Sequence, residues 1–135
     1  MSRLYLLDTN HISAAINPVS RLRERISEKH RQGARFRTCI PVLCEIEVGI
    51  QDSAHLESYR RQLKHLIQRV KLVPLELPVV QEYGQIYRHL RSIGRAMSQV
   101  DMVVAALARH SNWVLLTADR DFESVPDLRI ENWLI

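Results

Sequence analysis

Apolar residues along this chain fall into short continuous runs separated by stripes of helical period. "RLYLL" (residues 3–7) predicts a short buried strand that stops at Asp8. A short helix follows from Thr9 to about Asn17, closed by Asn17-Pro18. Residues 18–32 carry a charged helical pattern, with Gly33 as the stop. "RFRTCI" (35–40) predicts a second strand, and Pro41 suits the first turn of a helix over "PVLCEIEVGI". Asp52 is placed to cap a longer helix over 53–70, whose apolar positions run Leu56, Tyr59, Leu63, Leu66, Ile67 and Val70. That stripe is either a dimer face or ordinary packing onto the domain's own core. "VKLVPL" (70–75) predicts a third strand, ended by Pro78. Over 79–93, Val79, Val80, Tyr83, Ile86, Tyr87, Leu90 and Ile93 share one helical face, and Gly94 closes it. Ser98 opens a further helix to about His110. "NWVLLTA" (112–118) predicts a fourth strand, and "LRIENWLI" (128–135) holds a fifth.

Strands therefore alternate with helices, which predicts an α/β fold with a mainly parallel sheet covered on both faces. No repeat, low-complexity segment or linker interrupts the pattern, so residues 1–135 read as one domain. Such sheets bind ligands at the carboxyl ends of their strands. Here those ends carry Asp8 and Thr117-Ala118-Asp119.

Acidic residues in apolar surroundings are the next signal. Asp101 lies in "SQVDMVVAALARH", a helix apolar almost all round and so buried. A carboxylate there is costly unless paired or bound to a cation. Alternatively, Ser98-x-x-Asp101 forms a capping box. Glu45 and Glu47 stand two apart in an apolar helix and point to different faces, so one faces inward if the other faces water. Gly49 shares the face of Glu45 and leaves room for another element to approach closely. Asp119 directly follows the fourth strand, while Asp121 suits ordinary turn chemistry. Asp8 has a plain alternative as the cap of the helix after it.

Together these place Asp8, Glu45, Asp101 and Asp119 near strand ends and adjoining helices. Four unpaired carboxylates at close range repel, and several take up protons. A hard divalent cation removes the conflict, and Mg²⁺ keeps waters for chemistry. The net charge of +4 rests mostly on arginine, which grips phosphate as a planar fork. A carboxylate pocket in an arginine-rich chain suggests phosphodiester hydrolysis.

Cys39 and Cys44 match no zinc spacing and no disulfide framework. No apolar run approaches the ~20 residues of a membrane span, and the N-terminus lacks the shape of a signal peptide. The expectation is a cytoplasmic protein without membrane contact.

Four motifs in order carry a family resemblance across nearly the whole chain. "LLDTN", "EIEVG", "SQVDMVVAALA" and "LLTADRDFESVPDLRIENW" resemble those of PIN-domain ribonucleases of the VapC toxin group. The resemblance implies an α/β/α sandwich, usually a homodimer, with Asp8, Glu45, Asp101 and Asp119 as metal ligands. Thr9 and Asn10 then orient Asp8, with Thr117 in support and Asp121 auxiliary. Val42 and Cys39 stand where the family often has small hydroxyl residues. The resemblance further implies Mg²⁺- or Mn²⁺-dependent RNA cleavage, with tRNA a frequent substrate. It also implies a small antitoxin covering the pocket and promoter DNA bound only by the toxin–antitoxin complex. Arg95, before the Asp101 helix, and Arg120, beside Asp119, are candidates for contacting RNA, the alternative for each being a solvated surface arginine.

Other classes fit less well. A haloacid-dehalogenase-like phosphatase needs an acid at position 10, which is Asn10. A response-regulator receiver needs a lysine at a late strand end, but the lysines are Lys29, Lys64 and Lys71. No phosphate-binding or dinucleotide glycine pattern occurs. A PIN fold that only binds RNA or a partner is the remaining alternative, and four retained acids argue against it.

Overall fold

Five strands form one sheet in the order β3-β2-β1-β4-β5, every neighbour parallel. The strands are β1 (Leu4–Leu7), β2 (Arg35–Thr38), β3 (Val70–Leu72), β4 (Val114–Leu116) and β5 (Ile130–Glu131). This computed structural model describes residues 3–134. Ile135, the end of the segment expected to hold the fifth strand, lies outside the described residues. The helices are α1 (Thr9–Ala15), α2 (Leu22–Arg31), α3 (Ile40–Gln51), α4 (Leu56–Leu66), α5 (Leu77–Ser92) and α6 (Gln99–Ser111). A 3-10 helix spans Arg120–Ser124.

The sheet is parallel because helices separate all but the last pair of strands, and such crossovers are right-handed. From β1 the chain winds outward to β3, then returns to place β4 on the other side of β1. The winding direction therefore reverses between β1 and β4, where α/β sheets open a crevice. Tyr5, Leu6 and Leu7 of β1 are buried, as the middle strand of a covered sheet requires. Tyr5 stacks on Phe36, and Trp133 meets both rings edge-on at 5.0 and 5.7 Å. The Arg25 guanidinium lies 4.3 Å over the Trp133 ring.

Several boundaries differ from the sequence reading, each for a local reason. The helix expected from residue 18 starts at Leu22. The Asn17 side chain accepts the Val19 amide and the Ser20 hydroxyl accepts the Leu22 amide, so side-chain turns replace a helical start. Asp52 does not cap the next helix; it ends α3, and a Ser53 turn leads to α4 at Leu56. Cys39 is the N-cap of α3, not part of β2. Pro78 does not end a strand but sits in the first turn of α5, where its missing N–H costs nothing. The α4 stripe packs inward: Leu66 is buried, and Leu56, Tyr59 and Leu63 lie against the core. On α5, Val79, Ile86 and Leu90 are buried, while Val80, Tyr87 and Ile93 are exposed. Arg109 of α6 pairs with Glu82 of α5 and donates to the Pro126 carbonyl at 3.2 Å.

Candidate acidic active site

Asp8 directly follows β1 and is 3% exposed. It occupies the N-cap position of α1, yet its side chain makes no capping bond. Its carbonyl accepts the His11 and Ile12 amides at 3.1 Å, and its carboxylate is left for other work. Oδ2 accepts the Thr117 hydroxyl at 2.8 Å and Asn10 Nδ2 at 3.4 Å. Oδ1 is buried with no hydrogen-bond partner. Burial pushes this carboxyl above its ordinary range; the Thr117 hydroxyl and the Thr9 amide pull it back, and Glu45 and Asp119 push it further up.

Asp101 makes one contact of the capping box that the sequence allowed. Its amide donates to the Ser98 hydroxyl at 3.1 Å, so the serine caps α6. Its half-buried carboxyl is pushed up to about 6, first by burial and then by the charge of Asp8, with Asp119 and Glu45 adding to it. Glu45 and Glu47 diverge as their spacing requires. The Thr9 hydroxyl donates to Glu45 at 2.5 Å, while Glu47 binds Gln51 and Arg60 at the surface. Asp119 also plays two parts: Oδ1 accepts the Asp121 amide at 2.9 Å, and its charge is felt at Asp8 and Asp101.

The supporting residues are partly reassigned. Thr9 directs its hydroxyl to Glu45, not Asp8. Thr117 is the main anchor of Asp8 and also accepts Asn10 Nδ2 at 3.3 Å and the Asp119 amide at 3.1 Å. Asn10 accepts the Ala118 amide at 3.1 Å, so it clasps the loop after β4. Asp121 is exposed and joins the group only through its backbone N–H. Arg120 is exposed and pairs with Glu123 at 3.6 Å; Arg95 is exposed and lines a small cleft with Met97, Asp121 and Ser124.

His11 is a residue that the sequence reading missed. It is fully buried, and Nε2 accepts the Trp133 amide at 3.1 Å. The proton therefore sits on Nδ1, which donates to Asn10 Oδ1 at 2.7 Å. That bond fixes which end of the Asn10 amide faces Asp8. Burial and the nearby Arg25 lower the imidazole to about 4, so it is neutral. Its signal in the sequence was a histidine on the buried face of α1, beside Ile12 and Ala15.

Among the described residues, no three His, Cys, Asp or Glu side chains converge as a ready-made metal cluster. The charges of Glu45 and Asp119 still reach both Asp8 and Asp101. The unpartnered Asp8 oxygen and the raised Asp101 are nevertheless the features a cation would relieve. Mg²⁺ fits this donor set, because it binds through one or two carboxylates and keeps several waters.

Fold and site define a class: a parallel α/β sandwich with charge-coupled carboxylates at the strand ends beside its topological switch point. The PIN-domain profile matches residues 5–128, and the chain belongs to the PIN-domain family. It is 29% identical over 133 residues to a tRNA(fMet)-specific endonuclease VapC of Shigella flexneri, covering 96% of this chain and 97% of that one. It is 25% identical over 131 residues to the ribonuclease VapC2 of Rickettsia felis, covering 96% and 98%. Among solved structures, the DNA-bound VapBC of Salmonella typhimurium superposes with a TM-score of 0.82 at 26% identity, over 98% and 99% of the two chains.

Proposed function

We propose that this chain is a metal-dependent endoribonuclease of the toxin–antitoxin type. One observation carries the reading: a buried Asp8 oxygen without a partner, on a carboxyl coupled by charge to Glu45, Asp101 and Asp119. Asp8, Glu45, Asp101 and Asp119 are the residues that would hold Mg²⁺ or Mn²⁺. When bound, such an ion supplies an activated water and neutralises charge on the phosphodiester. Thr117 and Asn10 hold Asp8 in one orientation, and Thr9 does the same for Glu45. Glu45 or Asp8 orients the attacking water for in-line displacement. The exposed Arg95 and Arg120 meet backbone phosphates, which arginine grips as a fork.

The VapC relatives support RNA as substrate, and the tRNA(fMet)-specific relative makes tRNA the first to try. The DNA-bound VapBC neighbour supports the reading of a small antitoxin as partner, with DNA bound through that complex and its own promoter as the expected sequence. A homodimer and a cytoplasmic setting complete the proposal; no helix among the described residues is long and apolar enough to cross a membrane. Cleavage of RNA with Mg²⁺ or Mn²⁺, lost with EDTA and lost in Asp101→Asn, tests it. RNA binding by wild type without cleavage under any divalent cation would favour the binding-module alternative.

A further inference from the structure

A cleft of about 400 Å³ adjoins the acids and shares Thr9 and Glu45 with them. Its floor is apolar, formed by Ile16, Ile46 and Ile50. Tyr59 supplies an aromatic wall and is braced edge-on by His55 at 6.2 Å. No lysine, arginine or histidine lines the cleft, so it is not built for a phosphate. Apart from Glu45 at the edge shared with the acids, its polar groups are neutral, and two of them have capacity to spare. Asn17 uses Oδ1 on the Val19 amide, which leaves Nδ2 to donate. Ser53 accepts the His55 amide and keeps its hydroxyl proton.

Gly49 sharpens the picture. The sequence suggested that it admits another element, but a Cβ built there meets nothing within 4 Å. No neighbour and no left-handed backbone requires glycine here. Glycine inside a helix costs about 1 kcal/mol relative to alanine. What it does is keep one side of the cleft open.

We infer that this cleft seats an unpaired nucleobase of the RNA, next to the phosphodiester that is cut. A flat, neutral, hydrogen-bonding ring suits an apolar floor, an aromatic wall and free amide and hydroxyl donors. The inference rests on the ribonuclease reading and adds to it the element that reads sequence: phosphate contacts position a strand, and base contacts specify it.

The test uses short single-stranded RNAs that carry each base in turn, or an abasic ribose, at the positions flanking the cut. For the wild-type chain, kcat/KM falls about tenfold or more when the abasic ribose occupies one of these positions, the scale of one lost base-stacking contact. Gly49→Leu, which fills the cleft, cleaves base-bearing and abasic RNA at one reduced rate. Tyr59→Ala, which removes the wall, narrows the same discrimination and serves if Gly49→Leu fails to fold by circular dichroism. Wild-type cleavage that is indifferent to the abasic ribose overturns the inference and leaves the ribonuclease reading standing. So does unchanged discrimination in both variants. No cleavage of any RNA by wild type with Mg²⁺ or Mn²⁺ overturns both.

Discussion

The Thr117 hydroxyl donates to Oδ2 of Asp8 at 2.8 Å, joining the end of β4 to the end of β1 across the switch point. Thr117 Oγ1 also accepts from Asn10 Nδ2 and from the Asp119 amide, so one threonine ties the ends of both strands together. Thr117→Val keeps the shape and removes the bond. RNA cleavage should fall about 10- to 100-fold, the usual effect of losing a partner that orients a metal ligand. Thr117→Ser should recover most of the loss. Kinetics on the three proteins check this, and a valine variant as active as wild type would remove Thr117 from the site.

His11 gives a pH signature in stability. Its folded-state value of about 4 lies below the ordinary 6.5, so its contribution is fully present above pH 6.5. That contribution is lost as pH falls toward 4. The raised Asp8 and Asp101 run the other way, adding stability at low pH and losing it as pH rises. A difference between variants isolates the histidine. The stability gap between wild type and His11→Asn should shrink by roughly 3 kcal/mol from pH 7 to pH 4. Urea unfolding at both pH values measures it, and a gap independent of pH contradicts a buried neutral imidazole.

Much of this arrangement is written locally in the chain. The sheet was legible because β1 and β4 are apolar runs ending in polar residues, and the parallel topology followed from alternation with helices. Asp101 was legible because an acid stood among apolar neighbours on a helix. Spacing alone said that Glu45 and Glu47 diverge but not which one turns inward; the resemblance of "EIEVG" picked Glu45, and the fold shows it bonded to Thr9 while Glu47 binds Gln51 and Arg60 at the surface. The link from Thr9 to Glu45 spans two elements, and so does the link from His11 to Trp133; no periodicity encodes such contacts. The misplaced boundaries at Leu22 and Leu56 came from Asn17, Ser20 and Ser53, whose side chains take up amides that a helix would otherwise use.

The Arg109–Glu82 pair fastens α6, and with it Asp101, against α5. Both side chains are largely buried, at 15% and 20% exposure. Arg109→Met leaves Glu82 without its partner and frees the Pro126 carbonyl. The expected loss is about 2 kcal/mol, and adding Glu82→Gln should restore part of it. A denaturant double-mutant cycle reads this, and a loss within about 0.5 kcal/mol, typical of a surface substitution, would show the pair to be dispensable.

Asp101→Asn should raise stability at pH 7 in EDTA. The wild-type carboxyl, pushed up to about 6 by burial and by Asp8, is charged there at a cost that the amide avoids. Thermal unfolding of the two proteins provides the check, and a lower melting temperature for the variant would mean that the carboxylate is held by favourable contacts instead.

The most direct test of the account is RNA cleavage by wild type and Asp101→Asn across a Mg²⁺ and Mn²⁺ titration, with folding confirmed by circular dichroism. The account predicts cleavage that rises with cation, vanishes in EDTA and is absent in the folded variant. Cleavage by Asp101→Asn at the wild-type rate, or wild-type cleavage undiminished in EDTA, would contradict it.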